Sequence, residues 1–228
     1  MDATLLLALL KQTKDQPFIF PQELEHVARN SSKVKTFLKE LAVQGFSFIP
    51  TIDGNFRIEH EERARLVLLG AKNGLDFDLL VKHLTWQEFE LLVTIFGDEA
   101  GYSATTGLNF STGERKYQID VVLKNNPYVF LIDCKHFGGT GKKAQLRAAA
   151  EAQRARCMAV RQHFLTLKTK LAIGSWQKVV LLPMLVTWLD DEIRFYEHVP
   201  IVPIAKLRSF FMNFYEFYED HFWLEIRS

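Results

Sequence analysis

Cysteine is nearly absent from this 228-residue chain, which has only Cys134 and Cys157. A disulfide scaffold needs more of them, and a zinc site needs about four nitrogen or sulfur ligands, so neither class is supported. Long apolar runs are missing as well. The stretch Leu5–Leu10 is too short to span a bilayer and has no basic region ahead of it. Neither a membrane helix nor a signal peptide is expected, and a cytoplasmic location follows by default. No nucleophilic-serine motif, dinucleotide fingerprint, internal repeat or low-complexity run is present. Gly138-Gly139-Thr140-Gly141 lacks the Lys-Ser/Thr of a P-loop and reads as a flexible loop. Excess charge is also missing, the formal net charge being +1. The remainder, 48% hydrophobic and 24% charged, is ordinary for a globular protein with a core of its own.

The most informative stretch runs from Gln118 to Lys135. In Tyr117–Lys124 the apolar Ile119, Val121 and Leu123 alternate with Gln118, Asp120 and Lys124. That is the period of a half-buried strand with Asp120 on its less apolar face. In Tyr128–Lys135 the residues Val129, Leu131, Asp133 and Lys135 share one face. Asn125-Asn126-Pro127 between them is turn chemistry of hairpin length, so the two strands are expected to be antiparallel neighbours. Charge at the end of so apolar a strand needs a reason, because burying it unpaired is costly. Two converging carboxylates make a hard-oxygen site for Mg²⁺ or Mn²⁺, beside which a lysine can orient or deprotonate a water. The plain alternative is an Asp-Lys ion pair closing a hairpin end.

Around these strands, 84–102 reads as a helix and 103–116 as a strand and turn. Thr140 to about Leu171 reads as a long helix, and Lys178–Leu189 as a strongly apolar strand. Helix, three strands, helix, strand, with an acid in the first helix, Asp in the second strand and Asp-x-Lys in the third, resembles the PD-(D/E)XK nuclease superfamily. Phe89-Glu90, Gly101-Tyr102, Ile119-Asp120-Val121-Val122 and Asp133-Cys134-Lys135 look most like its Mrr-type restriction endonuclease and archaeal Holliday junction resolvase branches. The resemblance covers about Leu84 to Leu189. It implies an α/β fold with a restriction-endonuclease-like mixed sheet flanked by helices, and a Mg²⁺- or Mn²⁺-dependent deoxyribonuclease. Carried over by residue, Asp120 and Asp133 match the metal-binding carboxylates, Lys135 the catalytic lysine and Glu90 the helix-borne acid. Cys134 would offer its backbone carbonyl to the metal. The family often has Glu where this chain has Asp133. Glu88 competes with Glu90, but Thr85-Trp86-Gln87-Glu88 fits a capping box, which gives Glu88 a structural task.

The net charge hides a basic segment. From Lys135 to Lys178 ten basic residues face the single acid Glu151, a local charge of +9. Lys143, Arg147, Arg154, Arg161 and Lys168 fall within about 60° on a helical wheel. Ala144, Ala148, Ala152, Ala155 and Ala159 form a separate stripe, expected to pack on the sheet. The basic ridge, with Lys142, is a candidate phosphate track or simply a solvated helix face. Gln145 or Gln153 is a candidate for a polar role on this helix, and His136 for a proton donor beside Lys135.

Residues 1–75 read as a separate unit with a helical connector, and 76–228 as the nuclease-like domain. Asp2–Lys11, Pro21–Arg29 and Ser32–Gln44 are expected helices, followed by a hairpin turning at Asp53-Gly54. Three helices and a hairpin resemble a winged helix, whose third helix, here with Lys33, Lys35 and Lys39, commonly meets DNA. Winged helices also serve as interaction modules. Glu61–Asn73 is read as the connector. Beyond Asp190-Asp191, Ile193–His198 is expected to form a hairpin arm, and the aromatic-rich stretch from Ile204 to be one helix serving first the core, then a dimer surface. A homodimer is reasonable because two symmetric sites suit two antiparallel backbones. Two rivals remain: a noncatalytic DNA-binding or assembly module that keeps the nuclease fold, and a transcription regulator led by the winged helix.

Overall fold

The computed structural model describes residues 1–113, 115–136, 142–188, 190, 193–216 and 218–227. The chain divides into two compact units, Met1–Leu92 and Val93–Ser228. The division falls inside a helix, and segment 76–92, which the sequence pattern attaches to the second domain, lies within the first unit.

In the first unit the order is α1 (Ala3–Gln12), β1 (Phe18–Ile19), α2 (Pro21–Ala28), α3 (Ser31–Val43), β2 (Ile49–Pro50), β3 (Phe56–Arg57), α4 (His60–Lys72), α5 (Phe77–Val81) and the start of α6 (Trp86–Glu99). Asp2 and Asn30 cap α1 and α3 by accepting backbone N–H bonds, the usual use of short polar side chains there. The expected hairpin forms, and β1 joins it to give the order β1-β3-β2. Leu5, Leu6, Leu9, Val34, Phe37 and Leu41 bury the helices' apolar faces.

The segment expected to be a connector is instead a core helix. Arg63 of α4 is 1% exposed and pairs with Glu88, 0% exposed, at 2.7 Å. Its guanidinium also donates to Thr13 and to the Leu10 and His83 carbonyls. Glu88 closes the capping box of α6, accepting from Thr85 N–H at 2.8 Å while its own N–H meets the Thr85 hydroxyl. This buried pair is thereby held by hydrogen bonds on both sides, as low-dielectric burial demands.

The second unit continues α6 and adds β4 (Ser103–Ser111), β5 (Lys116–Asn125), β6 (Tyr128–Lys135), α7 (Lys143–Gln162), α8 (Phe164–Leu167), β7 (Lys178–Thr187), β8 (Phe195–Tyr196), β9 (Val199–Pro203), α9 (Leu207–Asn213) and β10 (Leu224–Arg227). Among the described residues they form a mixed seven-stranded sheet of order β4-β5-β6-β7-β9-β8, with β10 also pairing β7. The expected antiparallel β5–β6 hairpin is present, and β6–β7 is parallel, the long crossover running through α7.

Proline shapes the part of this sheet that the sequence pattern does not reveal. β7 carries Pro183 at its centre, a residue that has no N–H to donate. Antiparallel β10 pairs β7 as far as Leu181, and parallel β9 begins at Leu185. Pro183 therefore falls in the gap between two partners on the same edge. Val199–Pro203, expected only as the approach to a helix, is β9. The aromatic stretch is not one long helix but α9 flanked by 3-10 turns, followed by β10. Phe130, Phe210, Phe211, Phe214, Tyr102 and Tyr128 stack edge-on and tilted against one another, so these aromatics serve the core, the first of the roles expected for them.

α7 covers the other face. Its buried stripe is Leu146, Ala150, Gln153, Cys157, Ala159 and Val160, whereas Ala144, Ala148 and Ala155 are exposed and Ala152 is half-buried. Of the expected alanine stripe Ala159 packs in the core, and most of the packing face is the bulkier Leu, Cys and Val, which bury more apolar area at 3.6-residue spacing. Burial pushes the Cys157 thiol pKa upward. Thr140, where the helix was expected to begin, and Gly138 to Gly141 lie outside the described residues. Gly97 of α6 sits so close to β5 that an added Cβ would meet Leu123 carbons at 2.5–3.1 Å. A larger residue at position 97 would require the buried Leu123 side chain to shift.

Candidate active site at the β5–β6 strand ends

β5 does not alternate as simply as its sequence suggests. Ile119 and Val122 share the core cluster beneath α7 with Val129 and Leu131, although a strict two-residue period would separate them. The β4–β5 register is the same on both sides of Asp120, Thr106↔Val121 and Leu108↔Ile119, and the residue opposite Asp120 is Gly107, whose φ is +64°. On the other side, β5–β6 pairing begins only at Val121↔Ile132. Beyond it the Asp120 carboxylate takes the place of a backbone acceptor, receiving the Cys134 N–H at Oδ2, 2.8 Å away. The Asp120 side chain is thereby held against β6 where the β5–β6 ladder stops.

Asp133 on β6 is 4% exposed. Lys135 Nζ lies 2.7 Å from its Oδ2, and Arg156 Nη1 lies 3.3 Å from its Oδ1. The lysine contact is an ion pair, and among the described residues Asp133 Oδ2 makes no further hydrogen bond. Arg156 also donates to Gln153 Oε1 at 3.0 Å, and Gln153 Nε2 donates to the Leu131 carbonyl at 2.6 Å. Burial, reinforced by the charge of Asp133, raises the Asp120 pKa above the ordinary 3.8. The Cys134 N–H and the cations Lys135 and Arg156 oppose that rise.

The structure therefore brings together Asp120, Asp133, Cys134 and Lys135 as their spacing implied. Between the two glutamines raised for α7, geometry selects buried Gln153, while Gln145 is exposed. Arg156 stands out in sequence only as one charge of the basic segment, not as a site residue. Its signal is the Gln153-x-x-Arg156 spacing, which sets both side chains on one helix face. His136 stacks on Trp188, with ring centroids 3.9 Å apart, next to Lys135.

The basic ridge is displaced from this cluster. Arg147 lies over the Tyr196 ring, and Arg154 pairs with Glu197 at 2.9 Å and covers Phe222. These contacts hold the ridge on the flank of α7 toward the β8 hairpin, while Arg156 occupies the flank toward Asp133. Lys143 and Arg161 are exposed and Lys142 is half-buried. Glu90, half-buried on α6, and Lys33, Lys35 and Lys39, exposed on α3, belong to the first unit.

Among the described residues no group of three or more His, Cys, Asp or Glu side chains is arranged to hold a metal. The donor set at this place is two carboxylates. That fits a hard cation such as Mg²⁺, which keeps several waters and takes one or two carboxylates together with substrate oxygens. The raised proton affinity of Asp120 is the electrostatic counterpart, since a carboxylate crowded by burial and a like charge gains from an added cation.

No family model matches the chain. An uncharacterized protein of Archaeoglobus fulgidus is 32% identical over 131 residues, spanning 57% of this chain and 92% of that protein. Among solved structures, protein VC1899 from Vibrio cholerae is similar over 96% of this chain and 52% of its own, with 11% identity and a TM-score of 0.40. A protein of unknown function, AF1548, is similar over 52% of this chain and 58% of its own, with 15% identity and a TM-score of 0.30. The chain thus spans about half the length of VC1899. The identity shared over nearly the whole Archaeoglobus fulgidus protein shows that this chain belongs to the same family as that uncharacterized protein.

Proposed function

We propose that this chain is a Mg²⁺- or Mn²⁺-dependent deoxyribonuclease, with a restriction-endonuclease-like α/β unit of PD-(D/E)XK type preceded by a winged-helix-like unit. The observation that carries the reading is the convergence of Asp120, Asp133 and Lys135 where the β5–β6 ladder ends. Asp120 and Asp133 would hold the cation, with the Cys134 carbonyl as the further donor that the resemblance implies. Bound there, a divalent metal supplies Lewis acidity toward the phosphodiester and neutralises developing charge. Cys134 N–H fixes the rotamer of Asp120. Lys135, held beside Asp133, orients the attacking water and bears on its proton. Lys142, Lys143, Arg147, Arg154 and Arg161 offer positive charge to the DNA backbone along α7, and Lys33, Lys35 and Lys39 do so along α3.

One observation favours the noncatalytic module instead. Asp133 is bracketed by two cations, the pattern of a structural ion-pair cluster. Cleavage of labelled single-stranded, duplex, flap and four-way-junction DNA with Mg²⁺, Mn²⁺ or EDTA separates the readings. The nuclease cuts only with metal, and Asp120→Ala lowers the rate at least ~100-fold, the scale of a lost transition-state interaction. DNA binding without cutting under every condition establishes the module.

A further inference from the structure

Arg156 is tethered by Gln153 on one side and meets Asp133 on the other. Gln153, fully buried, uses its amide nitrogen on the Leu131 carbonyl of β6 and its amide oxygen on Arg156 Nη1. The guanidinium reaches Asp133 at 3.3 Å, a longer contact than the 2.7 Å of Lys135. Its side chain is 25% exposed. Arg156 is thus anchored through Gln153 to β6, and its 3.3 Å hydrogen bond to Asp133 is longer than the 3.0 and 2.6 Å bonds behind it.

The charges of the cluster balance. Asp120 and Asp133 carry two negative charges, and Lys135 and Arg156 two positive. A divalent cation on the carboxylates must compete with Arg156 for Asp133 and suffers repulsion from both basic groups. A phosphodiester arriving at the same place changes that balance. It brings negative charge, and its paired oxygens suit a planar guanidinium, which binds them in bidentate fashion. Cation and phosphate thereby favour each other's binding, and linkage makes the effect reciprocal.

We propose that Arg156 competes with the divalent cation for Asp133 and passes to the substrate phosphate, so that metal loading is coupled to arrival of the nucleic acid. The proposal rests on the nuclease reading of the same site. Arg156 is here a positioning residue whose release completes the carboxylate site. Gln153 keeps the arm within reach after it leaves Asp133.

The test is Mn²⁺ binding by calorimetry to the intact wild type, Arg156→Gln and Arg156→Lys, each alone and with a phosphorothioate duplex that resists cleavage. Without the duplex, Arg156→Gln binds Mn²⁺ about tenfold tighter than the wild type because the competitor is gone, while Arg156→Lys, which keeps the charge, stays close to the wild type. The duplex tightens Mn²⁺ binding to the wild type by about tenfold, within the usual range of coupling, and to Arg156→Gln much less. Equal or weaker Mn²⁺ binding by folded Arg156→Gln, in a protein whose wild type cuts DNA with metal, overturns the proposal and leaves the nuclease reading standing. Absence of Mn²⁺ binding by the wild type, with and without the duplex, overturns both.

Discussion

In the proposed site, Asp120 joins a metal-binding role to an effect on stability. Burial first, and then its neighbour Asp133, raises its pKa in the folded protein above the ordinary 3.8. The folded state therefore holds this proton more tightly than the unfolded chain does. Below the unfolded value both states are protonated and no penalty arises. As pH rises through the window between the unfolded and folded values the penalty of the buried charge grows, and it persists at neutral pH. Asp120→Asn removes that charge and keeps an oxygen for the Cys134 N–H. It is expected to unfold at higher urea concentration than the wild type at neutral pH, with the advantage fading as pH falls below about 4. A variant less stable than the wild type across the whole range would contradict this account of Asp120. Stability gained where function is lost is the usual trade at sites of perturbed charge.

Among the elements, α6 shows how a capping signal can hide a second task. Thr85 and Glu88 are legible as a capping box, and they form one. The burial of Arg63 against Glu88 is not legible, because their pairing joins positions 25 residues apart and each alone reads as a surface charge. Glu88→Ala leaves Arg63 buried without its counter-charge and is expected to cost about 3–5 kcal/mol in urea unfolding, whereas the double change Arg63→Met with Glu88→Leu recovers most of it. A single-variant cost below about 1 kcal/mol would show that the pair is not what secures α4 to α6. β5 and β6 are legible because apolar residues in a period of two leave few other readings. The hydrogen bond of Asp120 is not, since its partner is the Cys134 N–H of the neighbouring strand. The same limit applies to β9 and β10. Pro200, Pro203 and the aromatic run around them carry no strand period, and their pairing is decided by the two edges that Pro183 leaves on β7. On α7 the expected alanine stripe packs at Ala159 and not at Ala144, Ala148 or Ala155, while Gln153 and Cys157 go inward because one satisfies a β6 carbonyl and the other fills the cluster beneath the helix.

For the whole molecule, two compact units and a charge sum near zero conceal separate basic surfaces. If α3 meets DNA, replacing Lys33, Lys35 and Lys39 by Glu weakens binding about equally across sequences. It also flattens the dependence of log K on log salt by about one unit for each phosphate that these lysines neutralise. An unchanged slope assigns α3 to protein contacts. The central claim is that the Asp120–Asp133–Lys135 cluster performs metal-dependent phosphodiester cleavage. The most direct measurement is Mg²⁺- and Mn²⁺-dependent cleavage of the four DNA geometries by the wild type and Asp120→Asn side by side, with unfolding curves taken on the same preparations. The account predicts metal-dependent cutting by the wild type and none by an Asp120→Asn protein that is at least as stable; cutting by both proteins at equal rates, or by neither, would contradict it.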